Sequence, residues 1–287
     1  MPRVGPCCIV SYFQLRMSSA HPATCPNCGH ALQPDHRFCP ACGQATHLHR
    51  IDGHYLTHEA VHYFTHADRG IFLLLASLVR QPGIAARQCL AGQRKKYFPP
   101  LTFFLLGAAI MVFMSKWIGK PGGEALQSVK AALQNPALSP AQKQELLVAK
   151  RSMEAADFTA QYANFVNMLA TPVLVIWMYL FYRRQRLNFT EHLVANLYFV
   201  GFTSLGYSLL FVPVFHFVKD GSSLYVFLLL LYFVFEIGYR SISYYQLFPE
   251  LKGKGGGWRC ILASICSTVF WFILSFTAVG MYVLFGG

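Results

Sequence analysis

Gly92-Gln93-Arg94-Lys95-Lys96-Tyr97-Phe98-Pro99-Pro100-Leu101 places three adjacent cations directly before the first apolar run long enough to cross a bilayer. Cations resist translocation, so Arg94, Lys95 and Lys96 are expected to hold this end of the span in the cytoplasm, against anionic lipid headgroups. Tyr97 and Phe98 suit the headgroup layer. Pro99-Pro100 suits the first turn of a helix, where a missing N–H costs nothing. Residues before this joint read as water-facing and nearly all residues after it as membrane, so the sidedness of every later loop follows from it.

Composition points the same way. The chain of 287 residues is 54% apolar and 15% aromatic but only 13% charged, and its mean hydropathy is +0.38. Those values suit an integral membrane protein rather than a single soluble core. The formal charge of +12 would suit nucleic acid if the cations formed one patch. They cluster beside apolar spans instead, as loops at an anionic inner leaflet do, so nucleic acid is not the expected partner.

Nine cysteines are an odd number, and four of them form two Cys-x-x-Cys pairs, which suits metal in a reducing compartment rather than a disulfide framework. Cys89, Cys260 and Cys266 lie in apolar surroundings and read as small packing residues. Cys7 and Cys8 adjoin an apolar patch too short and interrupted for a secretory signal. Residues 1–24 read as a disordered extension, with Met17 an equal candidate for the natural start.

Residues 25–45 carry the most specific signal. Cys25-Pro26-Asn27-Cys28 and Cys39-Pro40-Ala41-Cys42 share the Cys-Pro-x-Cys-Gly form, each closed by a glycine, Gly29 or Gly43. Such knuckles let backbone N–H groups approach sulfur while the glycine takes a left-handed conformation. Four thiolates in tetrahedral array favour Zn2+, and a closed four-sulfur site is structural because it leaves no open position for substrate. A segment this short cannot bury a core of its own, so the metal supplies most of its folding free energy, on the order of 10 kcal/mol.

Residues 46–97 read as cytoplasmic amphipathic or interfacial helices. His54, His58, His62 and His66 recur every fourth residue and stack along one drifting helical face. Within that stripe His58-Glu59-Ala60-Val61-His62 matches the His-Glu-x-x-His motif of zinc metallopeptidases. There His58 and His62 would be ligands one turn apart and Glu59 the base acting on a metal-bound water. A stripe that already repeats every fourth residue produces the motif as soon as one Glu follows a His, so an interfacial helix with titratable histidines is the simpler reading. A catalytic site would also need a third ligand from His192, Glu191 or Asp68. Beyond Asp68-Arg69-Gly70, the apolar run Ile71–Val79 rises only about 14 Å as a helix and should lie along the inner surface or pack beneath the spans. Arg80-Gln81-Pro82-Gly83 interrupts it, and Ile84–Ala91 makes another short amphipathic helix.

The order of these pieces resembles an uncharacterised bacterial inner-membrane family known only as a domain of unknown function. The resemblance rests on the ribbon ending in Cys42-Gly43-Gln44, the His-containing helix, Asp68-Arg69-Gly70, Arg80-Gln81-Pro82-Gly83, Gly92-x-Arg94-Lys95-x-Tyr97 and Pro99-Pro100. It implies a four-cysteine zinc-ribbon head on a multi-span helical membrane body, and it brings no established activity.

Residues 98–287 read as that body, an all-α polytopic domain of about five transmembrane helices at 101–118, 165–182, 193–218, 224–239 and 259–285. Residues 119–162 are charge-balanced and suit an extracytoplasmic loop; Ser139-Pro140 opens a helix within it, and the second span should bend near Thr171-Pro172. Arg183, Arg184 and Arg186 form a second basic cluster, so the N-terminus falls inside and the C-terminus outside. Gly201 and Gly206 suggest close helix packing. Glu236, near the inner end of the fourth span, should pair with Arg240 one turn on.

The expected role is anchoring, sensing or interaction, more naturally without catalysis, with lipid and a cytoplasmic protein partner of the ribbon. The alternative is a membrane-associated zinc metallohydrolase using His58, Glu59 and His62. A third reading is a pH or metal sensor acting through the histidine stripe.

Overall fold

The computed structural model describes residues 23–46, 51–53, 70–117, 123–136, 138–185, 187–218, 222–251, 253 and 255–285. The histidine stripe from His54 to His66, with His58, Glu59 and His62, lies outside the described residues, as does the N-terminal extension up to residue 22. After the head the chain is helical: α1 (Gly70–Arg80), α2 (Pro82–Leu90), α3 (Pro100–Trp117), α4 (Gly123–Ala132), α5 (Pro140–Phe181) and α6 (Phe189–Gly206). A π-helical turn at Tyr207–Phe211 leads into α7 (Val212–Phe217), followed by α8 (Ser223–Leu247) and α9 (Gly256–Phe285). No strand occurs among the described residues, only isolated bridges within the head.

Three helical stretches are long and apolar enough to cross a membrane: Phe189–Phe217, Ser223–Leu247 and Gly256–Thr277. Shorter apolar stretches at Pro100–Met114 and Thr171–Phe181 stand where the first and second of the five expected spans fall. The bundle is arranged for an apolar solvent. Phe113 on α3, Leu180 on α5, Leu210 in the π turn, Leu230 and Val234 on α8, and Phe276 on α9 face outward, while Glu191, His192, Asn196, Arg240, Ser264 and Ser267 are buried. In lipid there is nothing to gain by burying Leu, whereas each polar group must find its partner inside the protein.

Close approach of backbones sets the packing. On α6, a Cβ added to Gly201 would stand 3.0 Å from the Phe103 ring of α3, and one on Gly107 of α3 would stand 3.1 Å from the Gly201 carbonyl oxygen. Gly201 therefore provides the expected close contact. Gly206 does not, since a Cβ there would reach only Phe235, at 4.0 Å.

α5 departs from the expected division into a loop helix and a separate span. Ser139 and Gln142 form a capping box with Pro140 in the first turn, and the helix then continues without interruption for 42 residues, through Pro172. Proline removes one backbone hydrogen bond, and a helix packed among neighbours tolerates that loss. The helix is about 63 Å long, roughly twice the hydrocarbon thickness of a bilayer. α4 packs along its first half, where Lys130 meets Glu154 at 3.3 Å.

α1 and α2 belong to the bundle. Leu74 and Leu78 of α1 are fully buried in the main core while Phe72 and Val79 are exposed, and the Tyr239 hydroxyl donates to the Leu78 carbonyl at 3.2 Å. α2 lies directly against α8: a Cβ on Gly83 would fall 2.0 Å from the Ser243 carbonyl oxygen and 2.5 Å from the Leu247 nitrogen. The Gly83 N–H donates to Gln246 Oε1 at 3.2 Å. Both close atoms are backbone and cannot rotate away. Gly83→Ala should therefore push α2 off α8 and destabilise the purified protein by about 1–3 kcal/mol in thermal unfolding in detergent.

Candidate metal centre and its docking site

Each knuckle of the head is closed by the same pair of backbone bonds. The Gly29 N–H donates to the Cys25 carbonyl and the Gly43 N–H to the Cys39 carbonyl, both at 2.8 Å. The Cys25 N–H reaches the His30 carbonyl and the Cys39 N–H the Gln44 carbonyl, again at 2.8 Å. Gly29 and Gly43 have φ of +76° and +69°, a region that side chains resist, so glycine follows the second thiol of both knuckles. Single bridges, Thr24 with Ala31 and Phe38 with Ala45, tie the ends of each loop.

The turns bring the four sulfurs within 4.8 Å of one another. Cys25 Sγ lies 3.6 Å from Cys42 Sγ, and Cys28 Sγ 3.6 Å from Cys39 Sγ. Sulfurs about 2.3 Å from a tetrahedral zinc stand about 3.8 Å apart, so the donor set fits that ion. The thiols also influence one another. The His30 amide favours the Cys28 thiolate, but burial and the sulfurs of Cys42, Cys39 and Cys25 outweigh it and push that thiol up to about 12. Burial raises Cys42 as well, yet hydrogen bonds from the Asn27 side chain and the Gln44 amide bring it down to about 7. A cation is what lets all four exist as thiolates together.

The head rests on the helical body at the basic joint. Gln44, the second residue after the last metal-knuckle thiol, is buried, and its Oε1 accepts the Lys95 N–H at 3.2 Å. Thr46 is buried and its hydroxyl donates to the His36 carbonyl at 2.6 Å, which fixes the exit from the ribbon. Ile51 joins the main core of the body, and its carbonyl accepts from Asn188 Nδ2 at 3.4 Å, beside the first turn of α6.

The joint itself is partly turned inward. Tyr97 and Phe98, expected in the headgroup layer, are buried: the Tyr97 hydroxyl donates to Gln88 Oε1 at 2.6 Å, and the Phe98 carbonyl accepts from the Tyr198 hydroxyl at 2.7 Å. Lys96 Nζ reaches the same Gln88 oxygen at 2.9 Å, and Lys95 is exposed. In α2, Arg87 has its guanidinium pKa lowered by burial, with Glu250 opposing the shift. Glu191, a proposed third ligand for the histidine motif, is instead committed to a capping box with Asn188, accepting its N–H at 3.0 Å. His192 is fully buried in the body.

Residues 24–46 match a zinc-ribbon domain. Residues 68–112 match a family described as "Protein of unknown function (DUF3667)". The second match covers α1, α2, the joint and most of α3, which is the platform that receives the head. No match was found among curated proteins or among solved structures. Together the ribbon, the four close cysteines and the apolar helices describe a membrane protein with a metal-binding head, the metal most naturally zinc.

Elemental analysis of the purified chain should find one zinc at the four-sulfur group, lost in Cys25→Ser. Protons compete with the metal for sulfur, so apparent zinc affinity should fall throughout as pH drops below about 12, where Cys28 holds its proton, and more steeply below about 7, where Cys42 takes one up as well. Gln44→Ala removes one hydrogen bond to the joint, worth about 1 kcal/mol. Hydrogen exchange at the Lys95 amide should then speed up by about fivefold, with zinc content unchanged.

Proposed function

We propose that this chain is a five-span inner-membrane protein whose structural zinc head is clamped to the cytoplasmic end of the bundle, where it presents a fixed surface to a cytoplasmic protein. The observation that carries this reading is the contact between Gln44 of the ribbon and the Lys95 amide of the basic joint. A head held by a buried polar contact and by Ile51 in the core is a part of the body, not a tethered appendage. Phe38, 64% exposed on the ribbon beside Arg37, is an aromatic anchor of the kind protein partners bury. Lys95, exposed at the joint, adds attraction to anionic lipid headgroups, together with Arg94 and Lys96.

The five spans comprise the three long apolar stretches together with α3 and the second half of α5. The first half of α5, with α4 against it, then projects on the extracytoplasmic side. Sidedness follows from the cations Arg94 to Lys96 and Arg183-Arg184 at the head-side end. Epitope accessibility in spheroplasts tests the arrangement in the full-length chain. A tag inserted at Leu138, between α4 and α5, should be reached by antibody from outside, and a tag fused before Met1 only after permeabilisation. The reverse pattern would invert the protein and place the ribbon in the wrong compartment for free thiolates.

A further inference from the structure

The four cysteines of the head differ in how they meet water. Cys25 and Cys39 are buried and Cys42 is half-buried, whereas Cys28 is exposed. Gly29, His30 and Ala31, which follow it, are exposed as well, so a small solute in water reaches the Cys28 sulfur. Amide donors are divided just as unevenly. Cys25 accepts from the Asn27 and Cys28 amides, and Cys42 from the Asn27 side chain and the Gln44 amide, while Cys28 accepts from the His30 amide. Each N–H bond to sulfur draws charge from it and lowers its nucleophilicity. Exposure and sparse hydrogen bonding therefore coincide at one sulfur, Cys28.

The contacts at 3.6 Å pair the sulfurs across the two knuckles, Cys28 with Cys39 and Cys25 with Cys42. Sulfurs in a disulfide stand about 2 Å apart, so a closing movement of about 1.5 Å joins Cys28 to Cys39. Cys39 is also tied to the docking contact. Its N–H donates to the Gln44 carbonyl at 2.8 Å, and Gln44 Oε1 accepts the Lys95 N–H at 3.2 Å. A change at Cys39 therefore lies one hydrogen bond from the residue that holds the head to the bundle.

We propose that Cys28 is an oxidation site: it reacts first with a peroxide, closes a disulfide on Cys39, and so frees the metal and loosens the head from the bundle. As a metal ligand Cys28 is a thiolate, the form that reacts. Its sulfur attacks one peroxide oxygen, the O–O bond breaks, and the other oxygen leaves as hydroxide, giving a sulfenic acid on Cys28. The Cys39 thiolate then attacks the Cys28 sulfur; an S–S bond forms, the S–O bond breaks and a second hydroxide leaves. In sum, two thiolates give up two electrons to one hydrogen peroxide and yield one disulfide and two hydroxides. Two sulfurs, Cys25 and Cys42, are too few to hold zinc in a closed site, and the folding free energy that the ion supplied is lost with it. A dithiol reductant returns the pair to thiols, so the change is reversible. This chemistry rests on the four-sulfur site and not on the sidedness or the partner proposed above.

The test uses the full-length chain in detergent, with its zinc content measured before hydrogen peroxide is added. Zinc should then enter solution, one ion for each peroxide consumed, as read with a chromophoric chelator. Alkylation followed by non-reducing peptide mapping should place the first disulfide at Cys28–Cys39, and dimedone present from the start should label Cys28. Hydrogen exchange at the Lys95 amide should speed up by about fivefold as the metal leaves. Dithiothreitol with added zinc should reverse both changes. Cys28→His keeps a ligand for zinc but removes the exposed sulfur, and should slow release by about tenfold. If that variant holds no zinc, the wild-type disulfide map and dimedone label decide the matter. A wild-type chain that carries no zinc overturns this proposal together with the metal site. A loaded chain overturns the proposal alone if zinc stays bound under excess peroxide, if the first disulfide is any other than Cys28–Cys39, or if dimedone labels another cysteine first. Loaded Cys28→His that releases zinc as fast as the wild type, or Lys95 exchange unchanged after metal loss, overturns it equally.

Discussion

Lipid offers no hydrogen bonds, and that single constraint orders the body of this protein. Polar side chains such as Asn196, Arg240 and Ser267 turn inward, while many of the described Leu, Phe and Val side chains face outward. The arrangement of α6, α8 and α9 follows from it: each contributes an apolar outer surface and an inner line of Ser, Asn, His, Glu, Arg or Tyr. Because hydrophobic burial cannot hold such helices together in lipid, close backbone contact does, at Gly201 against α3 and at Gly83 against α8.

The head obeys the opposite rule. Among the described residues its apolar cluster is no more than Leu32 with Cys25, Cys39 and Cys42, too little area to hold a fold, which is the situation a metal on four sulfurs relieves. The two regimes meet at the joint. There the Lys95 amide, left over at the start of the membrane body, is taken by Gln44, just past the metal knuckles. Among the described residues, the candidate metal site and the helical bundle are linked by this bond and by the buried Ile51, whose carbonyl accepts from Asn188 at the start of α6.

Much of this could be read from the chain. Matched knuckles with a glycine after each pair specify a four-sulfur site whatever lies around it, because spacing and left-handed glycine are local properties. Apolar runs longer than a bilayer is thick likewise declare themselves, and the Ser139 and Asn188 caps follow from residues three positions apart. The pair of Glu236 and Arg240 was legible for the same reason, being one helical turn apart.

What stayed hidden depended on partners distant in sequence. Tyr97 and Phe98 look like interfacial aromatics until Gln88 and Tyr198 are seen to take their polar groups. Gly83 looks like a helix breaker until Ser243 and Leu247 arrive within touching distance. Glu236 falls at the middle of its helix rather than near its end because α8 runs on through Tyr244, whose hydroxyl accepts from Asn196 on another helix. Local pattern alone determined the four-cysteine cluster, the apolar helices and the caps, since each rests on short-range spacing. The tertiary structure alone decided that the head is docked and that polar groups on different helices meet inside the bundle, Asn196 at Tyr244 and Arg240 at Ser267. Both depend on hydrogen bonds whose partners no local spacing brings together.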